Sequence, residues 1–79
     1  MKLRVKYDQK ADAVYARLSD KPYATGKNLD DARRIDYAED GTPMGVELLY
    51  VSQGVDLSTL PRADELSEAL RTHNIRELA

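Results

Sequence analysis

Polar and apolar residues alternate at the start of the chain. In the segment KLRVKYD, residues 2–8, every second residue is apolar and most of the residues between are basic, which is the period of two expected of a β-strand with one buried face. The turn-forming residues DQKAD follow, and the alternation resumes in AVYARLS, residues 13–19. Two alternating runs joined by a polar turn predict a β-hairpin.

A second hairpin is predicted over residues 32–51. The segment ARRIDYAEDGTPMGVELLYV has apolar residues on both sides of EDGTP, whose glycine favours a tight reversal. Between the hairpins, residues 20–30 are rich in turn formers and predict a loop that contains or leads into a short edge strand.

The period changes after residue 54. Ala63, Leu66, Ala69 and Leu70 fall at helical spacing, which predicts an amphipathic helix from about Pro61 to His73. The expected fold is α+β: a single domain, residues 1–79, with an antiparallel sheet of four to five strands, built from two hairpins, and one C-terminal helix packed on one face.

Strand alternation assigns residues to the two faces of this sheet. The face that receives the helix is predicted to contain Leu3, Val5, Tyr7, Val14, Ala16, Leu18, Ile35, Tyr37, Val46, Leu48 and Tyr50. The opposite face, called here the second face, is predicted to contain Lys2, Arg4, Lys6, Ala13, Tyr15, Arg17, Arg34, Asp36, Glu47, Leu49 and Val51. Its mixture of basic and apolar side chains fits neither a plain solvated surface nor a core.

Composition removes several function classes. The chain has no cysteine, which excludes disulfides, thiolate metal sites and thiol nucleophiles and accords with a reducing compartment. Its net charge of −2 is too close to balance for the whole molecule to bind nucleic acid or a membrane. No segment has the apolar run of a signal peptide or of a spanning helix, so we expect a cytoplasmic protein with no membrane partner.

Candidate catalytic groups are few. Asp8 and Asp12 flank the first turn and could serve acid–base chemistry or bind a divalent cation, but Asp is also a favoured turn residue whose carboxylate bonds backbone N–H groups. His73, the one histidine, has no cysteine or second histidine as a co-ligand. No serine lies in a nucleophile motif. We therefore expect no enzyme, no cofactor and no metal.

Two stretches together resemble a known family. The residues Tyr7, Asp8, Asp12, Ala13, Val14 and Tyr15, followed by Asp36, Tyr37, Asp40, Gly41, Gly45, Val46 and Glu47, resemble the pattern of small bacterial and archaeal proteins grouped as the domain of unknown function 2283. The resemblance implies a mostly antiparallel sheet with a helix and implies no activity. Because some members are encoded beside small toxins, it also suggests an antitoxin-like partner role.

Two functions are favoured by the residues, beside the alternatives of an ordinary solvated face with cross-strand ion pairs and of an enzyme with a carboxylate or metal site at Asp8 and Asp12. The first is a non-enzymatic module that acts by protein contact, as a homodimer or as the partner of another small protein, since a half-apolar sheet face on a small core suits association. The interface would comprise Tyr15, Leu49, Val51, Arg17, Arg34 and Leu70. The second is weak nucleic-acid binding through the basic residues Lys2, Arg4, Lys6, Arg17 and Arg34.

Overall fold

The computed structural model describes residues 2–78 and contains one five-stranded antiparallel sheet and one α-helix. The elements are β1 (Arg4–Asp8), β2 (Ala13–Arg17), β3 (Thr25–Asn28), β4 (Arg33–Tyr37), β5 (Pro43–Leu49), a 3-10 turn (Val51–Gln53) and α1 (Ala63–Thr72). The strand order is β1-β2-β5-β4-β3. The two predicted hairpins therefore join through β2 and β5, the predicted edge strand is β3, and the α+β fold is confirmed.

Helix α1 packs on the face that alternation assigned to it. The central strands contribute Val14, Ala16, Ile35, Val46 and Leu48, all at most 4% exposed. Leu66 of α1 and the loop between β5 and α1 complete the same core. Leu3, Val5 and Tyr7, at the β1 margin of this face, are packed against the core but only partly buried.

A bulge interrupts the pairing of β4 with β5. Asp36 pairs with Gly45 whereas Tyr37 pairs with Pro43, so one residue of β5, Met44, has no partner on β4. Met44 is 1% exposed. A bulge of this kind bends the strand and re-aims the side chains beside it, which bears on the second face described below.

Strand β5 ends sooner than predicted, and this corrects the placement of two residues. Tyr50 has a φ of 54°, in the left-handed region, so the extended backbone stops there and the alternation of faces stops with it. Val51, predicted on the second face, instead begins the 3-10 turn and lies in the core at 0% exposure. Tyr50, predicted to face the helix, is 53% exposed.

Helix α1 is shorter at its start than the prediction of Pro61 to His73. Arg62 has a φ of 54° and cannot belong to the helix, which begins at Ala63. At the other end Asn74 adopts φ 58°, and the N–H of Ile75 donates to the carbonyl of Leu70 over 2.8 Å, as expected of a Schellman ending. Leu70 itself is 1% exposed, so its predicted place in a surface interface is wrong.

Residues 76–78, after α1, pair with the loop that precedes the helix. Val55 and Glu77 form a parallel bridge. The N–H of Val55 donates to the carbonyl of Arg76 over 2.9 Å, and the N–H of Leu78 donates back to the carbonyl of Val55 over 2.8 Å. Residues 76–78 therefore pair with this loop and do not continue the helix.

Within residues 2–78, no helix has the length and apolar character that crossing a membrane would require.

Candidate interaction face

The helix and the loop that leads to it cover one face of the sheet, and residues 2–78 place no layer of secondary structure on the second face. Cross-strand pairing places its residues in rows. One row consists of Lys6, Tyr15, Glu47 and Arg34, and the next consists of Arg4, Arg17, Gly45 and Asp36. The predicted composition of this face is thus confirmed for its strand residues.

Tyr15 lies flat on the second face. A Cβ built on Gly45 would lie 1.9 Å from Tyr15 Oη and 2.6 Å from Cζ, so the ring occupies the space that any side chain at this position would need. From β2 the phenol reaches across β5 to β4, where Oη donates to Asp36 Oδ2 over 3.0 Å. Met44 Sδ, on the bulge, is 3.9 Å from the same Oη. A glycine at position 45 is therefore a condition for this arrangement.

Arg34 lies over a second strand glycine. Its guanidinium occupies the space above Gly26, where a Cβ would approach Nη2 to 2.2 Å. Nε donates to Asp36 Oδ1 over 3.0 Å, and Nη2 donates to Tyr23 Oη over 3.1 Å. The carboxylate of Asp36, a residue 9% exposed, thus accepts from an arginine on one oxygen and from a tyrosine on the other.

The contact between Tyr15 and Asp36 is reflected in the titration of the phenol. Burial, the largest cause, and the hydrogen bond to Asp36 together raise the pKa of Tyr15 to about 12. Both causes favour the neutral phenol, because an ionised oxygen could not donate to a carboxylate. At neutral pH the side chain is therefore a fixed hydrogen-bond donor and offers no nucleophile or general base.

The other arginines of the second face are also engaged within the protein. Arg17 donates through Nε to the carbonyl of Ser19 over 3.0 Å and through Nη2 to the carbonyl of Lys21 over 3.2 Å. Arg4 pairs with Asp20 at 2.7 Å, with both side chains largely exposed. The basic cluster expected from the sequence is present, but much of its hydrogen-bonding capacity is used to hold the loop after β2.

Charge is divided unevenly across this face. On its β1–β2 half, Arg4, Lys6 and Arg17 outnumber Asp8, whereas on its β5–β4 half Asp36 and Glu47 outnumber Arg34. A groove of about 380 Å³ opens beside the second half, lined by Asn28, Asp30, Asp31, Ala32, Arg33, Arg34, Glu47 and Leu49. One side of the second face is therefore basic and the other acidic.

Four of the six predicted interface residues lie on the second face: Tyr15, Arg17, Arg34 and Leu49. Leu49 is directly opposite Ala13 of β2, and both are partly exposed, which makes a small apolar area at one end of the face. Val51 and Leu70 are core residues, as described above, and no surface contact can use them.

The two aspartates of the first turn have structural partners. Asp12, at φ 55°, accepts from the N–H of Ser52 over 2.8 Å and from its Oγ over 2.6 Å. Its own carbonyl accepts from the N–H of Val51 over 3.1 Å. Asp8 Oδ1 accepts from the N–H of Ala11 over 3.1 Å. Asp8 thus holds the turn, as the structural interpretation expected, whereas Asp12 connects the turn to the 3-10 turn after β5.

Sequence reasoning missed Ser52 as the partner of Asp12, the central position of Asp36, and the two glycines beneath Tyr15 and Arg34. The glycines carried a usable signal, because glycine inside a strand often marks a close approach of another group. Ser52 carried none, since it lies 40 residues from Asp12 and only the completed sheet brings the two together.

The histidine and the acidic groups form no further constellation. The ring of His73 meets that of Tyr7 edge to face, with centroids 5.5 Å apart and an interplanar angle of 65°. Among residues 2–78, no group of three or more histidine or acidic side chains is arranged to hold a metal ion.

Comparison with known proteins gave one match. The model of a family described as "Protein of unknown function (DUF2283)" matches residues 4–52. These residues comprise all five strands and most of the 3-10 turn, and they include Tyr15, Asp36, Gly45 and both partners of the contact between Asp12 and Ser52. Neither the curated proteins nor the solved structures gave a match.

Proposed function

This chain belongs to the family of proteins of unknown function DUF2283, and we propose that it is a non-enzymatic module that acts by protein contact, with a second copy of itself bound to the second face of its sheet. The matched residues contain the whole sheet and stop before α1. The feature shared with the family is therefore the sheet on which this face lies.

The observation that carries the proposal is the preordered surface formed by Tyr15 and Arg34. Both side chains lie flat over glycines and are fixed through Asp36. Tyrosine and arginine are enriched in protein interfaces. When such side chains are already held in one conformation, association loses less side-chain entropy.

Charge favours a second copy as the partner. A two-fold axis parallel to the strands would place the basic β1–β2 half of one sheet over the acidic β5–β4 half of the other, in both directions at once. Arg17 of β2 and Glu47 of β5 lie on the two adjacent strands at which the halves meet. A nucleic acid would meet the acidic half as well, and Arg4, Arg17 and Arg34 already have partners within the chain.

The area of the second face sets the expected strength of dimerisation. Five strands about 4.8 Å apart and about five residues long make a footprint of roughly 400 Å². A stable interface takes up about 800 Å² of accessible surface on each partner. We therefore expect a small, reversible dimer whose population rises with concentration.

The test is the mass of the protein in solution, measured by light scattering behind size exclusion from about 10 μM to about 1 mM, a range that brackets weak association. We expect a monomer–dimer equilibrium that Leu49→Asp abolishes, because a carboxylate would then be buried without a partner at the apolar end of the face. Leu78→Asp is the matched control: Leu78 is 44% exposed and lies in the C-terminal segment, outside the sheet.

Three results would overturn the proposal: a monomer at every concentration, a Leu49→Asp protein that associates as the natural chain does, or an equal loss of association in Leu78→Asp. Binding of a single-stranded oligonucleotide that weakens steeply with added salt, in a protein that stays monomeric, would favour the nucleic-acid alternative. Leu49→Asp is preferred to Tyr15→Asp because the latter also removes the hydrogen bond to Asp36.

A further inference from the structure

Strand β1 is an open edge of the sheet with an incompletely covered apolar side. Among the strands of residues 2–78 it pairs with β2 alone, so alternate backbone N–H and C=O groups along it point away from the sheet. On the helix side Leu3, Val5 and Tyr7 are only partly buried. An additional strand at this edge would satisfy the backbone groups and cover the side chains together.

A groove runs beside this edge. It encloses about 220 Å³ between β1 and α1 and is lined by Lys2, Leu3, Val5, Glu65, Glu68, Ala69 and Thr72. Its apolar part is formed by Leu3, Val5 and Ala69. An aliphatic side chain from a strand added to β1 would enter the groove, since alternate residues of such a strand point to the helix side.

The opposite side of β1 carries two cations, Arg4 and Lys6, and one acid, Asp8. Arg4 and Lys6 are exposed there, and Lys6 lies opposite Tyr15 of β2 and makes no ion pair within residues 2–78. The pair between Arg4 and Asp20 is itself exposed. Acidic residues directly opposite these two cations on an added strand would form favourable cross-strand pairs.

We propose that β1 binds an extended segment of another protein by strand addition, and that this segment alternates acidic with aliphatic residues. The aliphatic side chains occupy the groove beside α1, and the acidic side chains pair with Arg4 and Lys6. Recognition of this kind takes affinity from backbone hydrogen bonds and specificity from the alternate side chains. The backbone contacts use the edge of the sheet, while the acidic side chains share Arg4 and Lys6, at the β1 margin of the second face, with the proposed dimer.

The other edge strand lacks these features. Strand β3 is four residues long, TGKN, and none of its residues has a large apolar side chain. Its glycine, Gly26, lies beneath Arg34. Strand β3 therefore provides the comparison for β1, because it has an open edge without the groove and without the apolar row.

The probe is a synthetic eight-residue peptide in which Glu and Val alternate, titrated into isotope-labelled protein by NMR. A peptide of alternating Lys and Val is the charge control. We expect the acidic peptide to bind with a Kd of roughly 0.1–1 mM, as befits a short flexible strand, with shifts confined to residues 2–8, β2 and the α1 groove. The Leu49→Asp protein is titrated as well, so that failure of peptide binding is distinguished from failure of dimerisation.

Backbone methylation tests the mode of binding. Two methylated peptides are compared. In one, the N-methyl groups replace the set of N–H groups that face β1. In the other, they replace the set of N–H groups of the alternate residues, which face away from β1. Strand addition predicts that one set abolishes binding while the other changes the Kd less than about threefold, because an added strand bonds to the edge through every second residue. Equal effects of the two sets would overturn the proposal.

Protein variants test the side chains. Lys6→Glu should weaken the acidic peptide about tenfold, since an attractive cross-strand pair becomes a repulsive one, whereas Lys27→Glu makes the same charge change on β3 and should leave the Kd unchanged. Ala69→Arg should also weaken binding by filling the groove. No binding of the acidic peptide at millimolar concentration, tighter binding of the basic peptide, or equal effects of Lys6→Glu and Lys27→Glu would each refute the proposed site.

Discussion

Tyr15 and Asp36 are joined by a 3.0 Å hydrogen bond that crosses an entire strand. Tyr15 belongs to β2 and Asp36 to β4, with β5 between them, and the ring can cross β5 only because residue 45 is a glycine. Arg34 holds the other oxygen of the same carboxylate. Strands β2 and β4 are therefore connected through side chains across β5, on the face that the helix does not cover.

Gly45→Ala is expected to destabilise the protein. The added methyl group would collide with a rigid phenol and break its bond to Asp36, which corresponds to a loss of about 2 kcal/mol in the free energy of unfolding and of about 10 °C in Tm. Gly26→Ala is the matched control, because there the displaced group is the end of a flexible arginine. Thermal unfolding that gives the same Tm for the two variants would contradict this account of Gly45.

The loss of folding stability at alkaline pH should depend on Tyr15. The pKa of its phenol is about 12 in the folded protein against 10.0 for an ordinary tyrosine. The folded state thus keeps a proton that the unfolded state releases, so this contribution is complete below pH 10 and is lost as pH rises towards 12. In Tyr15→Phe, Tm should be lower at neutral pH and should fall less between pH 10 and pH 12.

Ultraviolet titration of the phenolate gives an independent measurement. The chain has five tyrosines, and we expect Tyr15→Phe to remove the last phase of the titration. Tyr50→Phe, at a residue 53% exposed, should leave that phase intact. If the last phase persists in Tyr15→Phe, the contact with Asp36 does not control the ionisation.

Asp12 should contribute more to stability than Asp8, although both lie at the same turn. Asp12→Ala removes two hydrogen bonds to Ser52 and places alanine at φ 55°, which corresponds to a loss of about 2–3 kcal/mol. Asp8→Ala removes one exposed bond, for which about 0.5–1 kcal/mol is expected. Chemical denaturation measures both.

Asp12→Asn separates the two causes within that prediction. Asparagine tolerates the left-handed backbone and retains one acceptor oxygen, so we expect a loss between those of Asp8→Ala and Asp12→Ala. An Asp12→Asn protein as unstable as Asp12→Ala would show that the carboxylate charge, and not the backbone conformation, carries the effect.

Arg33 should control the order of the loop between β5 and α1. Its side chain is 13% exposed, and Nη1 donates to the carbonyls of Asp56 and Ser58 over 3.1 and 2.7 Å. Nε of the same guanidinium also donates to Asp30 Oδ2 over 2.9 Å, and the single ammonium nitrogen of lysine cannot reproduce contacts made through two nitrogens. We expect Arg33→Lys to accelerate amide exchange and proteolysis in residues 54–60 while β2 and β5 keep their protection, and Arg71→Lys, on the exposed side of α1, to have no such effect.

Much of the sheet could be predicted because strand alternation is local. Val14 and Ala16, like Val46 and Leu48, are two residues apart, and their shared face follows from the period of two without knowledge of any partner strand. The limit appears at Tyr50. Because Tyr50 has a left-handed backbone, Val51 lies in the core and not on the surface where alternation placed it. Periodicity does not identify a residue with this conformation when it is not glycine.

For the candidate interaction face, the sequence predicted which residues share the face but not which groups they bind. The sequence placed Tyr15, Arg17, Arg34 and Leu49 on one face, but it could not show that Arg17 donates to backbone carbonyls or that Arg34 is bound to Asp36. Those partners depend on side-chain direction and on the bulge at Met44. The sequence therefore located the basic residues, and the contacts in the structure showed which of them are already bound within the protein.

The sequence by itself determined the two hairpins, the presence of the helix and the faces of the strand residues up to Leu49, because each follows from the spacing of apolar residues along a short stretch of chain. Only the tertiary structure decided that Tyr15 crosses Gly45 to reach Asp36 and that Asp12 binds Ser52, 40 residues away. The physical reason is that these contacts join strands that become neighbours only when the two hairpins pair, and local periodicity contains no information about that pairing.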